Sequence, residues 1–521
     1  TLPLKRTIGR EPTFPRRRVE VSSARMRLGI DLGTTRTLVA FHDRGNYPNV
    51  AFTTPDGDLV EHFPTISAEV GGRLVHGLEA ESAERDGAPS LRSWKRLLAN
   101  TRQDAAIQIG SVSVCPAELV TGFLSALRHE LFTQSNIASL LREPLEVVVS
   151  VPANAHSTQR FVTLDAFRRS GFKVRAVINE PSAAGIEYAH RHANTLSSRR
   201  EHVIVYDLGG GTFDAALVRI AGGHHDVALT AGISALGGDD FDHALLALAL
   251  ERSGKASPAL PALLAECRNV KESIHANTKK IVVDLGAPDP VVIPIADYYE
   301  RVRPLVETTL AALDPIVDAL ERDEVGGDLA GIYMVGGASG LPIVHRVVRE
   351  RFGRRVHRSP HPAAATAIGC AILAANDQRA EPLGLSERLS RHFGVFREAE
   401  RGQRSVFDPV FTKGTPMPTQ GADPIVALRR YRAAHDIGHF RFVESAHVDA
   451  RGDPTGDLTP HADVFFPFAS QLDADALPVA TVNRLTSEGP LVEERYEVDA
   501  AGVIAVTITN LDAGRASRFV L

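Results

Sequence analysis

The sequence predicts an α/β domain built from two lobes, followed by an all-β sandwich domain. Two short motifs, DLGTT at 31–35 and DLGGGT at 207–212, each lie between apolar β-type runs. A compact βαβ pattern lies between the motifs, and beyond about residue 377 helical periodicity gives way to short β-type segments separated by Gly, Pro and Asp. The repeated motif predicts the two lobes, the βαβ pattern predicts parallel sheet, and the change of composition marks the second domain.

The two motifs have the form of facing phosphate-binding turns. Small residues let backbone N–H groups converge on an anion, and Asp31 and Asp207 close a strand where a carboxylate can hold a metal that offsets phosphate charge. Each turn is followed by another strand, at 38–41 and 215–220, and not by the helix that the dinucleotide-binding fingerprint requires. The pair therefore predicts binding of ATP.

Composition limits the class of protein. The 521 residues suggest three or four compact units, and the 44% hydrophobic content is ample for their cores. A net charge of −5 argues against nucleic-acid and membrane partners, which need clustered positive charge. Three scattered cysteines without metal-ligand spacing predict the reducing cytoplasm, and no apolar run or signal-type segment predicts a membrane span or export. The Arg- and Pro-rich residues 1–25 are predicted to be a disordered basic tail.

In the first domain, Pro and Gly residues mark where several predicted elements begin or end. Pro152 ends a strand at 145–151, Gly171 stops the helix at 156–169, and Pro181 begins the helix that follows a strand at 174–178. Further predictions, in chain order, are a hairpin at 27–41, β-type segments to residue 75, helices at 91–98, 119–131, 243–251 and 263–274, β structure at 281–285, a helix at 298–320, a strand at 331–335 and a helix at 342–352.

In the second domain, period-2 segments predict strands at 393–397, 426–431, 440–445, 491–498 and 503–509, with a hairpin turn at 499–502.

Glu180 lies at the end of a predicted strand, where α/β proteins place ligands. A carboxylate there is a candidate to hold metal-bound water or the attacking water. The alternative is a carboxylate that merely favours the dipole of the next helix. A third glycine turn, at 336–340, opens a helix and leaves N–H groups that can face a ligand.

The order of DLGTT, VSVPA, NEPSAAGIEY, DLGGGTFD, GGDDFD and MVGGASGLP resembles the nucleotide-binding domain of the Hsp70 chaperone family, over residues 26–376. That family lies in the actin, hexokinase and Hsp70 ATPase superfamily, so the resemblance implies an actin-like, ribonuclease H-like fold. FTKGTPMP at 411–418 and YEVDAAGVIAVTI at 496–508 are similar to the family's substrate-binding β-domain, which implies a β-sandwich over 391–521 and a linker at 377–390.

The resemblance implies ATP or ADP with Mg²⁺ as cofactors and in-line attack of water on the γ-phosphate. It implies catalytic roles for Lys95, Glu180, Asp207 and Thr212. Asp31 and Asp207 would hold Mg²⁺ largely through water. The implied nucleotide-binding residues are Asp31, Gly33, Thr34, Thr35, Gly209, Gly210, Gly211, Lys271, His275, Gly336, Gly337 and Ser339. Pro152 and Arg160 match residues that relay nucleotide state between domains in the family; otherwise they would be a strand stop and a surface arginine.

Several positions depart from the family pattern. The linker sequence QRAEPLGLSERL at 378–389 is charged and broken by Pro and Gly, which disfavours docking as an apolar strand. Around adenine, the family has a K-R-x-L-S helix and a GGSTRIP turn whose arginines stack on the base; this chain has Lys271, Glu272 and His275 in the first and Gly340 at the arginine position of the second, which predicts weaker nucleotide binding. The chain ends soon after the last predicted hairpin, so we expect no helical lid and fast peptide release. For Arg36, after the paired threonines, the sequence gives no physical explanation.

Three functions fit these patterns. The favoured one is an ATP-hydrolysing chaperone that couples turnover to weak binding of extended polypeptide, with J-domain cochaperones and nucleotide exchange factors as possible partners. The second is an ATP-switched scaffold that binds one dedicated partner. Phosphotransfer to a small molecule, as in sugar kinases, ranks far lower because no segment resembles a sugar-binding region.

Overall fold

The computed structural model describes residues 26–98, 105–254, 260–286, 289–376, 383–468 and 481–521. The predicted basic tail at 1–25 lies outside these residues. The described chain forms two α/β lobes, each around one large sheet, and a C-terminal all-β region. Among the described residues, none of the helices combines the length and the hydropathy of a membrane span.

The first lobe contains the N-terminal hairpin and the βαβ unit. Its elements are β1 Arg27–Leu32, β2 Arg36–Phe41, β3 Phe52–Thr53, β4 Leu59–Val60, β5 Phe63–Pro64, β6 Ile66–Val70, β7 Arg73–His76, α1 Gly77–Arg85, β8 Ser90–Arg92, α2 Lys95–Leu98, β9 Ile107–Ile109, β10 Val112–Val114, α3 Pro116–Thr133, β11 Glu146–Val151, α4 Ser157–Arg169, β12 Lys173–Asn179 and α5 Glu180–Arg191. The main sheet has the order β12-β11-β1-β2-β5, with β1, β11 and β12 parallel and β2 antiparallel to β1. The predicted hairpin and βαβ unit are confirmed.

The second lobe repeats the hairpin in a six-stranded sheet. Its elements are β13 Arg200–Leu208, β14 Phe213–Ala221, β15 His224–Ile233, α6 Gly238–Ser253, α7 Leu260–Glu272, β16 Lys280–Val283, β17 Val291–Pro294, α8 Ile295–Ala312, α9 Asp314–Glu321, β18 Asp328–Val335, α10 Pro342–Phe352, β19 Val356–Arg358, α11 Ala365–Asn376 and β20 Gly384–Ser386. The sheet order is β19-β18-β13-β14-β15-β20. Helix α11 returns to the first lobe, where a Cβ on Gly29 of β1 would lie 2.2 Å from the Ala371 nitrogen. Only glycine permits this contact between strand and helix.

The C-terminal region is a pair of four-stranded antiparallel sheets. Its strands are β21 His392–Ala399, β22 Arg404–Phe411, β23 Ile425–Arg432, β24 Ile437–Phe440, β25 Phe442–Val448, β26 Pro454–Pro460, β27 Val464–Pro467, β28 Leu491–Val498, β29 Ile504–Asn510 and β30 Arg515–Val520. The sheets have the orders β22-β21-β25-β26 and β23-β28-β29-β30, and one apolar cluster contains residues of both, among them Phe393 and Ile508. We call this unit the β region.

Three predicted elements differ from the structure. The predicted helix at 298–320 is two helices that meet at Leu313, and Pro315 lies in the first turn of α9, where its missing N–H costs no intrahelical hydrogen bond. Helix α6 begins at Gly238, five residues before the predicted start, and its N-terminus is capped by Asp240, whose carboxylate accepts the Gly237 N–H at 2.7 Å. Residues 91–98 contain the end of β8 and the short α2, so the predicted helix there is only half right.

The expectation that the linker does not dock is also corrected. Residues 384–386 form β20, which adds to the second-lobe sheet in parallel to β15. Leu383 and Leu385 are partly buried against an apolar cluster of the first lobe and α11. Because backbone hydrogen bonds form β20, a charged linker with few leucines can still dock.

Candidate functional site

The two Gly/Thr turns face each other across the cleft between the lobes. If Gly210 carried a Cβ atom, that atom would lie 2.4 Å from Thr35 Oγ1, and a Cβ atom on Gly211 would lie 2.6 Å from Thr34 Cγ2. The two turns are therefore in direct contact. They border a cavity of about 410 Å³. The predicted site residues that line it are Asp31, Gly33, Thr34, Thr35, Lys95, Glu180, Asp207, Gly209, Gly210, Thr212, Lys271, Gly336 and Gly337.

Three predicted nucleotide-binding residues do not line this cavity. The Gly211 carbonyl instead accepts a hydrogen bond from Arg96 Nε at 2.9 Å. Ser339 is buried and donates to the Gly336 carbonyl at 2.7 Å, so it shapes the third glycine turn from behind. His275 is exposed beyond the end of α7, and its neighbour Ile274 lines the cavity in its place. The prediction of His275 as a nucleotide-binding residue is therefore not supported by its position.

A cluster of carboxylates occupies the floor of the cavity. Burial and the charge of Glu180 raise the pKa of Asp31 to about 7, and the same two causes raise the pKa of Asp214 to about 7. The pKa of Asp207 is raised well above its usual value by burial, Glu180 and Asp31. These shifts mean that the cluster lacks enough positive charge to keep every carboxylate ionised.

Lys95 is the cation within this cluster. Its Nζ lies 2.9 Å from Glu180 Oε1 and also donates to the carbonyl of Leu32 at the end of β1. Only 7% of the side chain is exposed. Burial alone would lower the pKa of Lys95, but Glu180 and Asp31 outweigh it and raise this pKa, so the ammonium is charged. Lys95 therefore holds Glu180 in place and presents a positive charge to the cavity.

The carboxylate cluster fits a hydrated divalent cation. Oxygen ligands suit Mg²⁺, which keeps several of its waters in proteins. Among the described residues, no three His, Cys, Asp or Glu side chains are placed to bind a metal directly. Asp31 and Asp207 would hold such an ion largely through water, as the family resemblance implies, and its charge would relieve the repulsion that raises their pKa values.

Sequence reasoning missed several polar residues around the cavity. Asp214 faces Asp207 across the β13–β14 hairpin, so the hairpin register could have identified it. Ser150 at the end of β11 donates to Asp31 Oδ1 at 2.9 Å. Arg96 connects the lobes, because its guanidinium also lies 2.9 Å from Asp240 Oδ2 at the start of α6. Sequence patterns could not predict the Ser150 and Arg96 contacts, since each contact joins segments that are far apart in the chain.

Comparison with known proteins identifies the family. The sequence profile described as Hsp70 protein matches residues 95–381, more than half of the chain. The chaperone protein HscA homolog of Polynucleobacter asymbioticus is 30% identical over 520 aligned residues, covering 94% of this chain and 77% of the relative. The chain belongs to the Hsp70 family.

Two further Hsp70 relatives show the extent of the similarity. The HscA homolog of Chromobacterium violaceum is 32% identical over 509 residues, covering 91% of this chain and 78% of the relative. The HscA homolog of Methylibium petroleiphilum is 34% identical over 378 residues, covering 67% of this chain. In that match the chain spans 58% of the relative's length. Membership of the Hsp70 family implies nucleotide binding, and the cavity between the lobes is its candidate site.

An ion pair joins the lobes at the cavity of this Hsp70 chain. Arg36, at the start of β2, pairs with Glu272, at the end of α7, and both side chains line the cavity. Their side chains are 36% and 39% exposed, so solvent screens the pair. This contact gives Arg36 the physical role that the sequence did not reveal.

Arg36→Ala should accelerate nucleotide release about two- to fivefold at low salt, because exposed ion pairs stabilise by up to about 1 kcal/mol. Stopped-flow release of a fluorescent ADP measures the rate. Arg44→Ala is the matched control, since Arg44 is exposed and lies 3.8 Å from its neighbour Asp43. Equal release rates for the wild type and Arg36→Ala at low ionic strength would contradict a role for the pair in holding the lobes together.

Arg160 and Pro152 lie between the cavity and the β region. Pro152 follows β11 directly. Arg160 on α4 is buried, so the alternative that it is a surface arginine is ruled out. Arg160 Nη2 donates to Asn179 Oδ1 at 2.7 Å, and Nη1 donates to the Ala501 carbonyl of the β region at 3.3 Å. Since Asn179 precedes Glu180, Arg160 connects the β region to the residue next to the carboxylate cluster.

Two buried glutamates add to the contact between the α/β lobes and the rest of the chain. Glu387, next to β20, accepts the Asn179 N–H at 2.8 Å and the Ser182 hydroxyl at 2.6 Å. Glu444 on β25 accepts the Ser157 N–H at the start of α4 at 2.8 Å. The linker and the β region therefore each place a carboxylate against the elements that hold Arg160 and Glu180.

Proposed function

We propose that this protein is an Hsp70-type chaperone that binds and hydrolyses ATP and couples turnover to weak binding of extended polypeptide. The division into an actin-like ATPase domain at 26–376, a linker at 377–390 and a β-sandwich domain at 391–521 belongs to the same proposal. The observation that carries it is the pair of facing Gly/Thr turns around a carboxylate cluster with one buried lysine. Free cysteines at 115, 267 and 370 are compatible with a cytoplasmic protein.

Catalysis would come from positioning and charge and would need no covalent nucleophile. The turns at 33–35 and 209–212 would cradle the phosphates with backbone N–H groups. Lys95 would neutralise charge that develops on the γ-phosphate, and Glu180, held by Lys95, would orient the attacking water. Mg²⁺ held through Asp31 and Asp207 would supply charge neutralisation to the β- and γ-phosphates.

The β region offers one surface for an extended polypeptide. Strand β23 is an edge strand, and Val426 and Leu428 on its outer face are 39% and 46% exposed. A peptide could add along this edge by backbone hydrogen bonds and rest apolar side chains on these two residues. Chaperone activity, client polypeptides and cochaperones are all parts of the proposal.

One observation favours the alternative of a dedicated partner. Arg397 in β21 lies 2.7 Å from Glu494, which is fully buried, and 2.6 Å from Asp408. Such a network inside the β region favours a fixed arrangement over a pliable apolar cleft. A switch that binds one dedicated polypeptide needs only such a fixed arrangement of the β region.

Turnover and peptide release separate these alternatives. We expect the full chain to hydrolyse Mg-ATP and ATP to accelerate release of a fluorescent apolar peptide, measured by phosphate release and fluorescence anisotropy. Val426→Asp should weaken peptide binding, and Val482→Asp, also on an exposed valine of the β region, is the control. ATP hydrolysis without peptide binding in any nucleotide state would replace the chaperone with the dedicated-partner scaffold, and absence of ATP binding would reject both.

A further inference from the structure

The carbonyl groups of the glycine turn at 209–212 are bound by donors from outside the turn. The Gly209 carbonyl accepts the Gly238 N–H at 2.9 Å, and the Gly210 carbonyl accepts the Asp239 N–H at 2.7 Å. Both donors lie at the start of α6, in the same lobe. Because successive glycines favour no single set of backbone angles, these contacts fix the orientation of the first two peptide groups of the turn.

The third carbonyl of this turn is bound from the other lobe. Arg96, on α2 of the first lobe, donates to the Gly211 carbonyl from Nε at 2.9 Å and from Nη2 at 2.5 Å. The same Nη2 donates to Asp240 Oδ2 at 2.9 Å, so the guanidinium is held on two sides by the second lobe. The third peptide group of the turn is therefore fixed only while the two lobes are closed on each other.

The contact with Arg96 also sets the direction of the next N–H group. In a planar trans peptide the C=O and the following N–H point in opposite directions, so the Thr212 N–H points away from Arg96. Among the described residues no backbone carbonyl accepts this N–H. Thr212 lines the cavity together with Thr34 and Lys95. Since Lys95 would act on the γ-phosphate, the Thr212 N–H is placed to donate to the same group.

The turn of the first lobe is held differently. Thr65, in the same lobe, donates its hydroxyl to the Gly33 carbonyl at 2.9 Å and its N–H to the Thr35 carbonyl at 3.0 Å. These contacts do not depend on the position of the second lobe. The two phosphate-binding turns are therefore not equivalent, because only the second one takes a carbonyl partner, Arg96, from across the cleft.

We propose that Arg96 is a positioning residue for hydrolysis, which orients the Thr212 N–H towards the γ-phosphate and does so only while the lobes are closed. The proposal rests on ATP hydrolysis in this cavity, as proposed above. Arg96 is not among the residues that line the cavity, so it acts through the backbone and not on the nucleotide. Its role is thus distinct from that of Lys95, and it makes the rate of hydrolysis depend on lobe closure.

The test separates the rate of hydrolysis from nucleotide affinity in the full chain. Arg96→Met keeps a long side chain and removes its donors. Single-turnover hydrolysis of Mg-ATP should slow at least about tenfold, because loss of one well-placed donor typically costs about 10²–10³ in rate. The calorimetric affinity for Mg-ADP, which has no γ-phosphate, should fall at most about fivefold, as expected for loss of an ion pair between the lobes. Arg85→Met is the matched control, since Arg85 is 58% exposed on α1 and pairs with Asp56 at 2.9 Å.

The other results overturn the proposal or its basis. An Mg-ADP affinity that falls as far as the hydrolysis rate would show that Arg96 only holds the lobes together. An unchanged hydrolysis rate would show that the Thr212 N–H does not depend on Arg96. Absence of ATP hydrolysis by the wild type would instead remove the proposed function on which the proposal rests. Equal thermal unfolding of the three proteins without ligand, together with Mg-ADP binding by Arg96→Met, confirms that the variant is folded.

Discussion

Replacing Lys95 with alanine should lower ATP turnover by at least about a hundredfold while most of the nucleotide affinity remains. Lys95 is buried beside Glu180, and in the proposed mechanism its charge would act where charge develops on the γ-phosphate. Loss of one such donor typically costs about 10²–10³ in rate. Affinity depends on many contacts from both turns, so it should fall far less. Single-turnover hydrolysis and calorimetric binding measure the two quantities separately.

The same substitution should leave a second signature in the free protein. Without Lys95, Asp31, Asp207 and Glu180 lose their nearest cation, so the unliganded chain should melt at a lower temperature. Mg-ATP should restore much of this loss, because its cation can replace the missing charge. Lys280→Ala is the control, since Lys280 is exposed on β16 outside the cavity. Normal hydrolysis by Lys95→Ala would remove Lys95 from the catalytic site.

The parts of this site that follow from local chemistry could be predicted from sequence. Asp31 and Asp207 each lie one residue before the end of a strand that Gly/Thr turns follow, so the hairpins β1–β2 and β13–β14 were predictable from alternation and turn residues alone. Glu180 was predictable as a strand-end residue, because Pro181 fixes the start of α5. These features depend on neighbours within a few residues.

Features that depend on packing between distant segments could not be predicted. His275 was expected near the base, but α7 ends at Glu272 and the turn after it directs Ile274 into the cavity. Arg358 at the end of β19 lines the cavity beside Gly340 because β19 pairs with β18. Docking of β20 escaped prediction for a different reason, since backbone hydrogen bonds form it and composition says little about them.

Replacing Glu444 with alanine should separate the β region from the α/β lobes. Glu444 is 4% exposed and accepts two hydrogen bonds, from the Ser157 N–H at 2.8 Å and from His461 at 3.0 Å. Its charge also faces the N-terminus of α4, where a negative charge is favoured. Removing it leaves buried donors without an acceptor, which should weaken docking by about 3 kcal/mol. Small-angle X-ray scattering should record a larger radius of gyration.

Two matched variants make this result specific. Glu444→Gln keeps the shape of the side chain without its charge, so it should weaken docking less than alanine does. Glu488→Gln changes an exposed glutamate of the β region that lies 3.5 Å from Arg432, and it should scatter like the wild type. An unchanged radius of gyration in Glu444→Ala would show that Glu444 does not hold the regions together.

Acid should act on the same contact in the wild type. Burial opposes ionisation of Glu444, but the hydrogen bond from His461 and the nearby His156 lower its pKa from 4.5 to about 2. A carboxyl with a depressed pKa stabilises the docked state above pH 4.5, and this contribution disappears as the pH falls from 4.5 towards 2. We therefore expect the radius of gyration to rise in this window for the wild type and to change less for Glu444→Gln, which has no proton to gain at this position. An acid transition of equal size in both proteins would assign it to other carboxylates, and Glu444 would then make no contribution to the pH dependence of docking.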